Sequence, residues 1–266
     1  MESGTRHNIE TLTDDTREKA VRLVGKAIGD YGLIAGGDRI LVAVSGGKDS
    51  YTLLDTLEVL RHRAPVSYRI TALHVDTGAP GMKSDLVESF LRQHGYEYHI
   101  EHTRILQTAL EHNTNGKLLC SLCSRLRRGV LYSTASKLGC NKIALGHNQD
   151  DFIETLLMNV FFNGRIKAMP VVSVSDKYAV TVIRPLLYVT ARAALEYASS
   201  MEAPLIDPQC PVSMRPQLTN RQKIRRMITE LEKDHPLLKE SIAASLKHVQ
   251  TDCLLDKQFM KPPGGQ

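Results

Sequence analysis

Two spacings of apolar positions alternate along the chain. Short β-branched runs recur at 38–44 (DRILVAV), 68–75 (YRITALHV), 96–100 (YEYHI), 142–146 (KIALG) and 178–186 (YAVTVIRPL). Between them, apolar residues three and four apart predict helices over 15–34, 51–63, 84–94 and 124–139, and through the segment HNQDDFIETLLMNVFF. Strands alternating with helices imply right-handed crossovers, hence an α/β fold built on a doubly wound parallel sheet with helices on both faces. From about Val189 the pattern is helical, broken at Pro204, Pro208, Pro211 and Pro216. The expected organisation is an N-terminal helical segment (1–36), an α/β domain (37–188), a helical C-terminal extension (189–258) and a disordered tail (259–266).

Composition narrows the class. The 266 residues are 42% hydrophobic, enough for a substantial core, yet no run of about 18 apolar residues suggests a membrane span. The polar start MESGTRHNIETLTDD does not resemble a secretory signal, so a soluble, cytoplasmic protein is expected. Net charge is only +5, but RLRR (125–128), NGRIKAMP (163–170) and RPQLTNRQKIRR (215–226) concentrate it, which invites a polyanionic partner. Arg128, Arg165, Lys167, Arg221 and Arg225 are the candidate RNA-binding residues. Five cysteines, an odd number, argue against a disulfide framework. Cys140 and Cys253 read as structural or incidental thiols; Cys120-x-x-Cys123 reads as metal-binding or catalytic.

The segment LVAVSGGKDSYTLL sets a buried strand, a glycine turn and a helix start in sequence. Gly46 and Gly47 let the backbone approach an anion, Ser50 is placed to cap the helix, Lys48 adds charge, and Asp49 is a candidate Mg²⁺ ligand. This is not a Walker A loop, because the glycines are adjacent and Asp follows Lys. SGGKDS (45–50) resembles the PP-loop of the ATP pyrophosphatase superfamily, whose members split ATP between the α and β phosphates, and ALGHNQDDFIETLLMN (144–159) resembles that superfamily's second motif. The resemblance implies an adenine nucleotide alpha hydrolase-like fold. It also implies ATP-binding at Ser45, Gly46, Gly47, Lys48, Asp49, Ser50, His74 and Gly146, with Asp49, Asp150 and Asp151 as catalytic, Mg²⁺-holding carboxylates. Asp76, closing LHVD, joins the same rim.

A closed zinc site takes four ligands, and neither a second C-x-x-C nor an H-x₃₋₅-H exists in the chain. The remaining candidate is Cys210, and three thiolates suit an iron–sulfur cluster with one open iron. CSLCSRLRRGVLY, with SGGKDS upstream and GHNQDD and NGRIKAMP downstream, closely resembles the tRNA 2-thiocytidine synthetase family, over roughly 34–226. That resemblance implies an ATP- and Mg²⁺-dependent tRNA thiolase, a homodimer, with a 4Fe–4S cluster on Cys120, Cys123 and Cys210. Sulfide, or a sulfur-donor protein such as a cysteine desulfurase, is the implied sulfur source. Arg127, one helical turn beyond Cys123, would face the chemistry, while Arg128 points about 100° away.

One feature departs from the pattern: Cys210 stands alone before Pro211, as in the related 2-thiouridine synthetases, although their flanking zinc-finger cysteines are absent. A 2-thiouridine synthetase is therefore the alternative within the family. A non-thiolating PP-loop synthetase or ligase, or a nucleotide-binding metal sensor, leaves either the cysteine trio or the paired carboxylates without a role.

Overall fold

The computed structural model describes residues 3–112, 119–206 and 219–259, with side chains from residue 15 onward. In chain order the elements are α1 (Ser3–Tyr31), β1 (Arg39–Ala43), α2 (Lys48–Arg63), β2 (Arg69–Asp76), α3 (Ser84–Gln93), β3 (Tyr98–His102), α4 (Ile105–Glu111) and α5 (Leu119–Lys137). They continue with β4 (Lys142–Ala144), α6 (Gln149–Asn163), β5 (Val172–Ser175), β6 (Val180–Ile183), α7 (Ala191–Ser200), α8 (Asn220–Leu231) and α9 (Leu238–Ser245). The chain forms two compact units, interleaved in sequence: residues 1–149 with 170–217, and residues 150–169 with 218–266.

The first unit is a six-stranded sheet in the order β3-β2-β1-β4-β6-β5. Five strands are parallel, and β5 pairs antiparallel with β6. The antiparallel edge strand was not among the expected strands. Its sequence, VSVS, is half polar and edge-exposed, without the continuous apolar run that marks a buried parallel strand. Chain order runs from β1 out to β2 and β3 on one side and resumes at β4 on the other, so the switch point of the sheet lies between β1 and β4. Open α/β sheets bind ligands in the crevice at that point.

Leu41, Leu73, Val75, Ile143 and Val182 form one face of the sheet, packed on Leu131 and Ala135 of α5. On the other face α2 lies against β1 and β2, and its Tyr51 meets Phe90 of α3 edge-on. Asp55 of α2 ties three further segments to this layer. It accepts hydrogen bonds from Tyr96 and Tyr197 hydroxyls at 2.6 Å each and from Arg17 at 3.3 Å.

The second unit centres on Ile153 of α6 with Ile224 and Ile228 of α8, packed against Leu238 and Ile242 of α9. Thr219 caps α8 through a reciprocal capping box with Gln222. Among the described residues no helix is long and apolar enough to cross a membrane.

Candidate active site

The glycine turn between β1 and α2 is held by its own serines. The Ser45 N–H donates to Ser50 Oγ at 3.2 Å, and the Ser50 hydroxyl donates to the Gly47 carbonyl at 2.7 Å. Ser50 thus closes the loop instead of capping the helix as expected. The N-cap is Gly47, in extended conformation with no side-chain cap. Ser50 sits one turn inside, where its hydroxyl reaches back rather than forward. Gly46 adopts φ +84°, and a methyl group there would stand 3.1 Å from Ile206 Cβ. Ile206 in turn donates its N–H to the Gly46 carbonyl at 2.9 Å, so Ile206 lies directly on the loop. The first turn of α2 directs N–H groups that helix geometry leaves without intrahelical partners, together with the positive end of the helix dipole, toward the loop.

Asp49 is fixed from two sides. Lys48 Nζ lies 2.6 Å from Asp49 Oδ1, and Asn148, buried after β4, donates to the same oxygen at 2.8 Å. Gly146 permits this approach: a Cβ there would fall 3.1 Å from the Asp49 carbonyl carbon and oxygen, in contact with backbone that cannot yield. Asn148 was absent from the sequence candidates, although it lies inside the GHNQDD motif.

His74, expected among the ATP-binding residues, is wholly buried, so its side chain acts through neighbours. Its Nδ1 lies 2.7 Å from the Val44 carbonyl, which can only accept, so Nδ1 carries the proton. Nε2 lies 3.0 Å from Ser84 Oγ, at the start of α3, and Ser84 Oγ lies 2.7 Å from Asp76 Oδ2, so the one hydroxyl proton can serve either the neutral ring or the carboxylate. The chain His74–Ser84–Asp76 thereby pins the ends of β1, β2 and α3 together. Burial pulls the His74 pKa down, outweighing the Val44 carbonyl and the nearby Asp76. For Asp76, burial acts upward but is outweighed by the Gly78 N–H, Ser84 and His102, so its carboxyl stays below the ordinary range.

A cavity of about 310 Å³ opens beside the loop, and Ser45, Gly47, Val75, Cys123, Arg127 and Ile206 are among its lining residues. Cys120 is exposed in the first turn of α5 and Cys123 is half-buried; neither is in a disulfide. Arg127 lines the cavity with Cys123, whereas Arg128 donates to the Ser124 carbonyl of its own helix at 3.3 Å. Cys210 lies outside the described residues. Among those described, no group of three or more His, Cys, Asp or Glu is placed to hold a metal ion. Two unbridged thiols one turn apart, with one opening on the cavity, nevertheless fit as two donors of a three-thiolate set. Cys140 is buried, and burial pushes its thiol pKa up. Cys253 is exposed near the end of the described chain, its thiol 3.7 Å from Gln250 Oε1.

In the second unit Asp150 and Asp151 open α6. Asp150 meets Lys239 at 3.1 Å, and Lys239 also meets Glu232 at 3.1 Å. Asp151 meets Arg221 at 2.8 Å. Glu154, with only 4% of its side chain exposed, takes Arg221 at 3.1 Å and Arg225 at 2.5 Å. Arg221 and Arg225, expected to contact RNA, thus hold α8 against α6. Arg165 and Lys167 are exposed just beyond α6. Glu154 was legible as the E of DDFIET, three residues after Asp151 and therefore on the same helical face.

A sequence profile of the PP-loop domain matches residues 15–232. The tRNA-cytidine(32) 2-sulfurtransferase of Geobacter sulfurreducens is 47% identical over 249 residues, which span 93% of this chain and 96% of that protein. The tRNA-cytidine(32) 2-sulfurtransferase of Geobacter metallireducens is 45% identical over 94% of this chain and 97% of its own length. Among solved structures, the U34-tRNA thiolase NcsA from Methanococcus maripaludis, with its [4Fe-4S] cluster, superposes with a TM-score of 0.69 at 25% identity. That match covers 91% of this chain and 82% of the thiolase. With a glycine turn at the switch point of the sheet and relatives aligned along nearly its whole length, the chain belongs to the PP-loop family of tRNA-cytidine(32) 2-sulfurtransferases.

Proposed function

We propose that this protein is a cytoplasmic, ATP-dependent tRNA thiolase that replaces the C2 oxygen of a cytidine, at position 32 in the anticodon loop, with sulfur. The observation that carries this reading is one cavity lined by both the PP-loop, through Ser45 and Gly47, and the cysteine helix, through Cys123 and Arg127. Activation and sulfur delivery can then act on the same base.

The C2 oxygen attacks the α-phosphorus of ATP, forming the O-adenylated base and releasing pyrophosphate. Sulfide then adds at C2, and AMP departs with the original oxygen. The Ser45–Ser50 loop amides and Lys48 stabilise the pyrophosphate leaving group, and Arg127 the adenylate phosphate. Mg²⁺ would be held by Asp49, Asp150 or Asp151. At the latter two it would replace the ion pairs to Lys239 and Arg221. A 4Fe–4S cluster on Cys120, Cys123 and Cys210 would supply an open iron to carry sulfur. Sulfide or a cysteine desulfurase is the proposed donor and a homodimer the proposed assembly.

The test is mass spectrometry of tRNA nucleosides from a deletion strain. Disappearance of 2-thiocytidine supports the cytidine reading. The isolated Cys210–Pro211 and the likeness to a U34-tRNA thiolase favour 2-thiouridine as the second reading, and loss of that nucleoside instead selects it. An unchanged nucleoside profile overturns both.

A further inference from the structure

We propose that Phe161 and Phe162, at the end of α6, form a platform on which unpaired bases of the RNA substrate stack, flanked by Arg165 and Lys167. This rests on the tRNA-thiolase reading and adds the residues that would select a loop over a duplex.

Phe161 is 55% exposed and Phe162 45%, with Val160 and Ile166 also open to solvent. Adjacent helical positions project about 100° apart, so the two rings would meet two different bases. Four apolar side chains open to solvent within seven residues are candidates for a contact surface. Its surroundings choose the occupant. The sequence from 155 to 175 holds Arg165 and Lys167 and no carboxylate. A polyanion with exposed π faces complements exposed rings set beside cations that make no ion pair among the described residues. A second copy packing about a two-fold axis would bring the cations toward their own equivalents with no local acid to meet them.

The local backbone fixes rings and cations relative to one another. Gly164 takes φ +59° and ends the helix in a left-handed turn. The Arg165 N–H then donates to the Asn159 carbonyl at 3.0 Å, and Asn159 Nδ2 donates to the Lys167 carbonyl at 2.6 Å. The cationic segment is folded back onto the helix that carries the rings, which limits the ordering cost of binding. In a duplex the base faces are already stacked on each other, so such a platform favours unpaired nucleotides.

The experiment compares two fluorescent RNAs with the full-length protein: a hairpin with an unpaired loop, and a blunt duplex with the same number of phosphates. Phe161→Leu and Phe162→Leu keep apolar bulk and remove the ring. Each is expected to weaken hairpin binding on the order of tenfold, with duplex affinity and salt slope unchanged. Lys167→Ala is expected to weaken both RNAs and lower the salt slope by about one. Wild-type hairpin affinity in both leucine variants, with circular dichroism unchanged, overturns the platform. Dissociation of an oligomer by Phe161→Asp without any leucine effect overturns it in favour of a second copy. Thiolation of tRNA by the wild-type protein is scored separately by nucleoside mass spectrometry. Thiolation with normal leucine variants rejects the platform alone. Hairpin discrimination without thiolation rejects the thiolase reading and retains the platform.

Discussion

Asn148 donates from Nδ2 to Asp49 Oδ1 at 2.8 Å, so a residue beyond the fourth strand fixes the carboxylate of the glycine turn beyond the first. The bond crosses the switch point of the sheet, and Asn148 is almost fully buried. Hydrogen bonds to charged groups contribute about 1.5–3 kcal/mol. Asn148→Ala should therefore slow tRNA-dependent pyrophosphate release by about 10- to 100-fold. Asn148→Asp should do worse by setting a second carboxylate beside Asp49. A wild-type rate in Asn148→Ala would remove Asp49 positioning from the account.

Gly46 faces two constraints at once, a φ of +84° and the side chain of Ile206. A left-handed conformation costs a non-glycine residue about 1–3 kcal/mol. Gly46→Ala should lower Tm by roughly 3–10 °C. Pairing it with Ile206→Ala should recover the steric part and leave the conformational part. Identical Tm values for the single and double variants would mean that Ile206 does not press on the loop.

Cys210→Ala should abolish thiolation and the brown colour of anaerobically purified protein while ATP binding survives. The same separation is expected for Cys120→Ala and Cys123→Ala, because Cys123 lines the cavity from α5 and lies outside the Ser45–Ser50 turn. Thiolation persisting in Cys210→Ala would eliminate the three-thiolate site.

Much of this architecture was readable from residue order. The buried runs gave five strands in the right sequence, and SGGKDS after the first of them marked the glycine turn that leads into α2. The third strand begins at Tyr98, because the Tyr96 hydroxyl is drawn back to Asp55 and its N–H closes a turn on Leu91. Such long-range partners leave no trace in local spacing. The same holds for Asn148 on Asp49, Ile206 on Gly46 and Ser84 between His74 and Asp76. The first two join residues far apart in sequence, and the third spans the single loop between β2 and α3. Arg221 and Arg225 illustrate another limit: the spacing of a basic run does not announce the ion pairs that these two make with Asp151 and Glu154.

His74 gives the protein a pH response with a defined sign. Its ring is wholly buried and its pKa lies below the ordinary imidazole value near 6.5. Below that pH the unfolded chain takes up a proton that the folded chain resists, so stability is full above it and declines as pH falls. Asp76 acts lower, its contribution being lost only as pH drops through its own depressed value. Urea unfolding between about pH 5 and 8 should show the decline, and His74→Gln should flatten it. Stability that rises on acidification would instead show that the fold charges His74 through Ser84 and Asp76.

Glu154 and its arginines are unequal partners. The carboxylate side chain is 4% exposed, whereas those of Arg221 and Arg225 are 36% and 59% exposed. Replacing Glu154 with Gln removes a buried charge and leaves both guanidiniums in water. Removing the arginines leaves the carboxylate buried and uncompensated, a loss of about 3–5 kcal/mol. Hydrogen exchange along α8 should therefore accelerate far more in the Arg221→Ala/Arg225→Ala pair than in Glu154→Gln. Equal acceleration in the two proteins would mean that water reaches Glu154 in solution, and the ion pairs would then count as ordinary surface contacts.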